Sequence, residues 1–216
     1  MVAARQPFAR SMRRVRGVLA LHPTLHGTQG RPRQHVSDVL RGALVLAVGA
    51  LDGLVLDAAI EAVAPVARAD GLSSTFEKWV KEDPAGFWLA LGAADRANAL
   101  AEVGRGRLGS MTFQRAATIE GVLRDAAGCG APWPAAAQRL SRTGVAWTPE
   151  QVRVELDAIV LRRHAIAHKG DVASGRRATP ITLSYVAGAA DIVEAVGLGV
   201  CDVVADRLRR ARRVTR

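Results

Sequence analysis

Thr148-Pro149-Glu150-Gln151 opens, and Arg162-Arg163-His164-Ala165-Ile166-Ala167-His168-Lys169-Gly170 closes, the stretch from which the fold is read. A threonine that can cap, a proline in the first helical position and a glutamine three residues after the cap mark a helix N-terminus. Val152, Leu156, Ile159 and Val160 continue it at helical spacing to about His168, and Gly170 is placed to end it. The helix therefore finishes on two arginines and two histidines. Histidine moves protons near neutral pH, and arginine keeps its charge. A fixed cation beside a proton shuttle suits phosphodiester chemistry, in which negative charge grows on non-bridging oxygens.

Outward from that helix the sequence predicts more helices. Ser37 is a candidate N-cap for a long one to about Arg68, with Leu40, Leu44, Ala47, Leu51, Leu54, Val55 and Ala58 on its apolar face. Between roughly 72 and 145, Gly, Pro and Ser divide the chain into shorter helices: Phe76 to Lys81 after Ser73-Ser74, then 93–103, then 111–127 up to Gly128. Pro132 and Pro134 put Trp133 in a turn. A polar loop, Asp171 to Ala178, leads past Pro180 to a last helix from about Ser184 to Arg210, lined by Val186, Ala190, Val193, Val196 and Val200. Only nine of 216 residues are aromatic and half are hydrophobic, with much alanine. The expected class is all-α, an up-down bundle with long first and last helices.

Charge is concentrated at the ends. The net charge is +10; eight arginines precede position 42 against Asp38, and six follow Asp206, so the body between is nearly neutral. Residues 1–35, rich in Arg, Gly, Pro, His and Gln, are expected to form a flexible basic arm, and 211–216 a basic tail, around a domain spanning 36–210. Such arms can gather a polyanion through counterion release, or simply be solvated ends. No export segment is expected, since Val18-Leu19-Ala20-Leu21 is short for one. The apolar stretches 43–66 and 186–205 carry Asp52, Asp57 and Glu61, and Asp191, Glu194 and Asp202. These carboxylates argue for bundle helices, no membrane and a cytoplasmic protein. Cys129 and Cys201 have no metal-ligand spacing; a disulfide and two buried thiols are both compatible, and a reducing compartment favours the thiols.

Arg163-His164-x3-His168 matches the Arg-(Asn/Asp/His)-x3-His pattern of the HEPN superfamily, and Val160 to Asp171 resembles its RiboL-PSP-HEPN branch. Leu40-Arg41-Gly42-Ala43-Leu44-Val45-Leu46-Ala47-Val48-Gly49-Ala50-Leu51-Asp52 is similar to that branch's opening helix, with an arginine near its start and an aliphatic–Asp pair in its middle. The likeness covers about residues 36–210. His164 stands where Asn is commoner, and Gly53 replaces the branch's usual aromatic. The resemblance implies a helical bundle that dimerises so that two Arg-x4-His motifs share a cleft. It also implies a metal-independent endoribonuclease of toxin–antitoxin, abortive-infection or antiphage systems, or a catalytically silent module that binds RNA or a partner protein.

Helix geometry bears on these alternatives. Positions 163 and 168 lie about 140° apart on an ideal helix. For Arg163 and His168 to meet one phosphate, the helix must end or tighten near Ala167, or a second subunit must supply the partner groups. The expected catalytic set is Arg163 on the phosphate, His168 in proton transfer and His164 in orientation, with Asp52, Arg162, Lys169 and Asp171 in support. No metal or cofactor is expected, and the expected partners are RNA, a second copy, and an antitoxin or other defence-system protein. Two blander accounts compete. Histidines at i and i+4 can bind zinc, although no HExxH glutamate is present. Basic residues in a last turn also complement the helix dipole. Asp52 would either be a paired buried carboxylate or anchor Arg163. Trp79, Trp88, Trp133 and Trp147 would either pack or stack on bases.

Overall fold

The computed structural model describes residues 2–26, 34–142, 144–171 and 178–214. These residues form helices and no strand: α1 (Arg5–His26), α2 (Gln34–Asp70), α3 (Ser74–Lys81), α4 (Pro84–Gly92), α5 (Arg96–Leu108), α6 (Ala116–Ala127), α7 (Trp133–Ser141), α8 (Pro149–Lys169) and α9 (Leu183–Val214).

The core is built on α2 and α9. Leu40, Leu44, Leu51, Val55 and Ala58 of α2 and Val186, Val193, Val196, Val200 and Val204 of α9 are all buried. The two helices run parallel, because Leu54 lies against Gly197 and Arg207 pairs with Asp70. Gly197 is required there: a Cβ at that position would stand 2.3 Å from the Phe8 ring and 2.9 Å from Leu54. The α5, α6 and α7 helices close other sides of this pair. In α8 the direction reverses relative to α2.

The N-terminal segment differs from the expected flexible arm. Phe8, Met12, Val15 and Leu19 recur at helical spacing and are all buried, which makes α1 a packed member of the bundle. It runs antiparallel to α2 and α9: the Ala3 N–H donates to the Glu61 carboxylate (2.8 Å), and Arg16 pairs with Asp191 (2.9 Å) and Glu194. Arginines, glutamine and prolines on its outer side hide this apolar stripe from a composition-based reading. The remainder of the expected arm, 27–33, lies outside the described residues.

Other boundaries shift for physical reasons. Helix α2 begins at Gln34, so Ser37 is inside it. In the middle section α4 begins at Pro84, capped by Asp83, and α5 begins at Arg96, capped by Asp95. Trp133 starts α7 instead of occupying a turn; its ring is buried and its Nε1 donates to Glu120 (2.9 Å). The tail expected from 211 continues α9 to Val214, with Ala211 buried; 215 and 216 lie outside the described residues, as do 172–177 of the expected loop. Cys129 and Cys201 are free and buried, and burial pushes both thiols up to about 11.

By length and composition α2 is apolar enough to cross a membrane. Its apolar face is packed against α1, α5, α6 and α9, as the central helix of a bundle requires.

Candidate functional site

The capping box expected at Thr148 is present: the Gln151 N–H donates to Thr148 Oγ1 (3.2 Å), and the Thr148 N–H donates to Gln151 Oε1 (2.7 Å). Polar ties continue along the first half of α8. Arg153 pairs with Glu120 (3.1 Å), and Asp157 accepts from the Ala116 N–H (2.9 Å), holding the start of α6. The second half carries the candidate site.

There α8 ends on Gly170, whose φ of 60° is open to glycine without steric cost. Asp171 follows with φ 61°, a left-handed conformation that aspartate tolerates better than most residues. The N–H groups of Gly170 and Asp171 both donate to the Ala165 carbonyl. The bond from Gly170 spans five residues, so the last turn widens instead of ending or tightening near Ala167.

Asp171 is thereby turned beneath the helix, with its side chain 1% exposed. Its Oδ2 accepts from Arg41 Nε at 2.8 Å and from an Arg162 terminal nitrogen at 2.7 Å. Both guanidinium groups also donate to the Thr179 carbonyl, at 2.7 Å and 3.1 Å, and Arg41 reaches Asp38 at 3.0 Å. One buried carboxylate thus joins the start of α2, the end of α8 and the strand of chain that enters α9. A buried carboxylate facing two arginines has its charge matched. Tyr185 lies close by on α9; burial pushes its phenol up, and Arg162 opposes that shift.

The rest of the motif points elsewhere. Arg163 makes no hydrogen bond or ion pair with the described residues, and its Nε is buried without a partner. His164 and His168 are exposed and in contact, with ring centroids 4.3 Å apart and planes inclined at 43°. Their spacing of one helical turn accounts for the contact. The Lys169 side chain lies outside the described residues.

Among the expected supporting residues, Arg162 and Asp171 come together, and both belong to the buried cluster. Asp52 does not anchor Arg163. Its carboxylate accepts from the Phe113 N–H (2.5 Å) and from Gln114 Nε2 (2.9 Å), fixing the approach to α6. Among the described residues no group of three His, Cys, Asp or Glu could hold a metal ion. Arg41 and Tyr185 were absent from the expected set. The signal for Arg41 is its place on the buried face between Leu40 and Leu44, where a lone cation demands a carboxylate. Trp133 belongs to the core, Trp79 and Trp147 pack partly against it, and Trp88 is 70% exposed on α4.

The chain matches no protein-family model, no curated protein and no solved structure.

Proposed function

We propose that the chain is a metal-independent endoribonuclease of the HEPN type, acting in the cytoplasm as a toxin or antiphage effector. One observation carries this reading. Of two adjacent arginines, Arg162 is neutralised by Asp171, while Arg163 has no carboxylate among the described residues and shares the helix end with two exposed imidazoles. An unneutralised guanidinium is available to a phosphate, with which it forms charge-assisted bonds.

In the proposed reaction the ribose 2′-oxygen attacks phosphorus. One histidine takes the 2′-hydroxyl proton as the O2′–P bond forms, and another gives a proton to the 5′-oxygen as the P–O5′ bond breaks. The products are a 2′,3′-cyclic phosphate and a 5′-hydroxyl. Arg163 offsets charge on the phosphorane, His168 transfers protons and His164 orients the group beside it. Proton transfer of this kind contributes ~10²–10⁴-fold.

Because Arg163 and His168 diverge around α8, a second copy completes the cleft. A surface suited to it runs along α8: Val154, Ala158, Leu161, Ala165 and His168 recur at alternating spacings of three and four, the seam that paired helices bury. Val154 is 57% and Leu161 54% exposed.

The test is cleavage of RNA in EDTA by the purified protein. Wild type is expected to leave cyclic-phosphate ends and to scatter light as a dimer. His168→Ala and Arg163→Ala are each expected to abolish cleavage, and His164→Ala to weaken it less. Undiminished cleavage by His168→Ala would end the enzyme reading in favour of a silent module that binds RNA or a protein partner.

A further inference from the structure

Several arginines of this protein answer to a carboxylate elsewhere in the fold. Arg68 meets Asp95, Arg105 meets Asp57, Arg107 meets Glu82, Arg139 meets Asp202 and Arg207 meets Asp70. The outer side of α1 gathers arginines that do not. Arg10, Arg13 and Arg14 are exposed there, and none of them pairs with a described carboxylate. Helix α1 itself contains no Asp or Glu in its 22 residues. The carboxylates that α9 offers it, Asp191 and Glu194, are taken by Arg16 on the helix's flank.

The arrangement is unfavourable in isolation. Arg13 and Arg14 stand three and four residues after Arg10, the spacings at which helix side chains are neighbours and like charges repel. No described carboxylate of the fold offsets that repulsion. From these observations we infer that the outer face of α1 is a docking surface for the phosphate backbone of RNA, gripped by Arg10, Arg13 and Arg14. The choice of RNA over another polyanion rests on the function proposed above; the surface itself does not.

A polyphosphate fits better than an anionic membrane. Interfacial helices bind by inserting an apolar face as well as by charge. The apolar face of α1, Phe8, Met12, Val15 and Leu19, is already consumed by the core. Around Arg10 to Arg14 the outer side is charged, with the exposed Leu21 and Leu25 two to three turns further along, and guanidinium groups match phosphate oxygens in pairs. Because α1 is an integral helix, the surface is rigid and keeps its three cations together, unlike a disordered arm.

The experiment uses the full chain carrying Arg10→Gln, Arg13→Gln and Arg14→Gln together, beside a control with Arg210→Gln, Arg212→Gln and Arg213→Gln near the end of α9. All six positions are exposed, and thermal melts are expected to match wild type. Binding of a fluorescent single-stranded RNA is measured from 50 to 300 mM NaCl, with His168→Ala in the background so that no substrate is consumed. Each phosphate contact adds about 0.7 to the slope of log K against log salt, so the α1 triple variant is expected to lose about 2 from that slope. The α9 control is expected to lose less. A wild-type slope in the α1 variant overturns the surface, and so does an equal loss in the two variants. Binding to phosphatidylserine vesicles with none to RNA overturns it in favour of a membrane. A protein that binds RNA through α1 yet never cuts it retains this surface and loses only the enzyme reading.

Discussion

The two sides of the last turn of α8 are built on opposite principles. Beneath the helix, Arg162, Arg41 and Asp171 form a closed, buried ion cluster in which every charge has a partner. Above it, Arg163, His164 and His168 present a cation and two imidazoles with no carboxylate attached among the described residues. Neighbouring residues of one helix thus do different work: 162 fastens the helix end to α2 and to the entry of α9, and that fastening leaves 163 free of structural duty. A site meant to bind an anion needs such a division, since a cation already paired inside the fold has little charge left to offer.

Removing the keystone should give the largest effect. Asp171→Ala would take the shared carboxylate from the buried Arg41 and the partly exposed Arg162, and breaking a buried ion pair from one side costs about 3–5 kcal/mol. A urea melt is expected to show that loss, and a loss below about 1 kcal/mol would mean that the cluster does not hold the helix end. Asp171→Asn should fall in between, since the amide oxygen can accept one of the two arginines.

A smaller loss is expected from Asp52→Ala, which releases the Phe113 N–H and the buried Gln114 amide; unsatisfied polar groups of this kind cost about 1–3 kcal/mol. RNA cleavage per folded molecule should be unaffected by it, because that carboxylate serves α6 and not the motif. A selective loss of cleavage at full stability would reassign Asp52 to the site.

Thr148→Ala opens the capping box at the other end of α8 and should cost about 1 kcal/mol. Paired with Asp171→Ala in one protein, the two losses should add, since the sites are some twenty residues apart along a helix and share no partner. The smallest stability change is expected for the upper side itself. His168→Ala should shift the melt by no more than about 0.5 kcal/mol, in keeping with an exposed side chain. The buried thiols supply an independent check on the fold: with both pushed up to about 11, Cys129 and Cys201 should resist iodoacetamide at pH 8 until the protein is unfolded.

Local chemistry made much of this legible in the chain. The Thr148 box, Pro149 at the first position of α8 and Gly170 at its end act through bonds that span three to five residues, so the sequence alone determines them. The same holds for the apolar stripes of α2 and α9, which repeat over many turns, and for the all-helical class. The helix of residues 5–26 was obscured because its arginines and prolines dominate composition, while the four apolar residues that matter lie one turn apart.

Only the tertiary structure decided the partners of the charges. Only the spacing to His168 separates Arg163 from Arg162 in the chain; the two are adjacent and chemically identical. Their fates part because α2 brings Arg41, and a left-handed residue after Gly170 brings Asp171, to one flank of the helix. Asp52 and Asp157 each supply a carboxylate to the region where α6 begins, at separations of 61 and 41 residues. Pairings of that range depend on how helices cross, and a helix crossing is set by the packing of whole faces rather than by any motif along one of them.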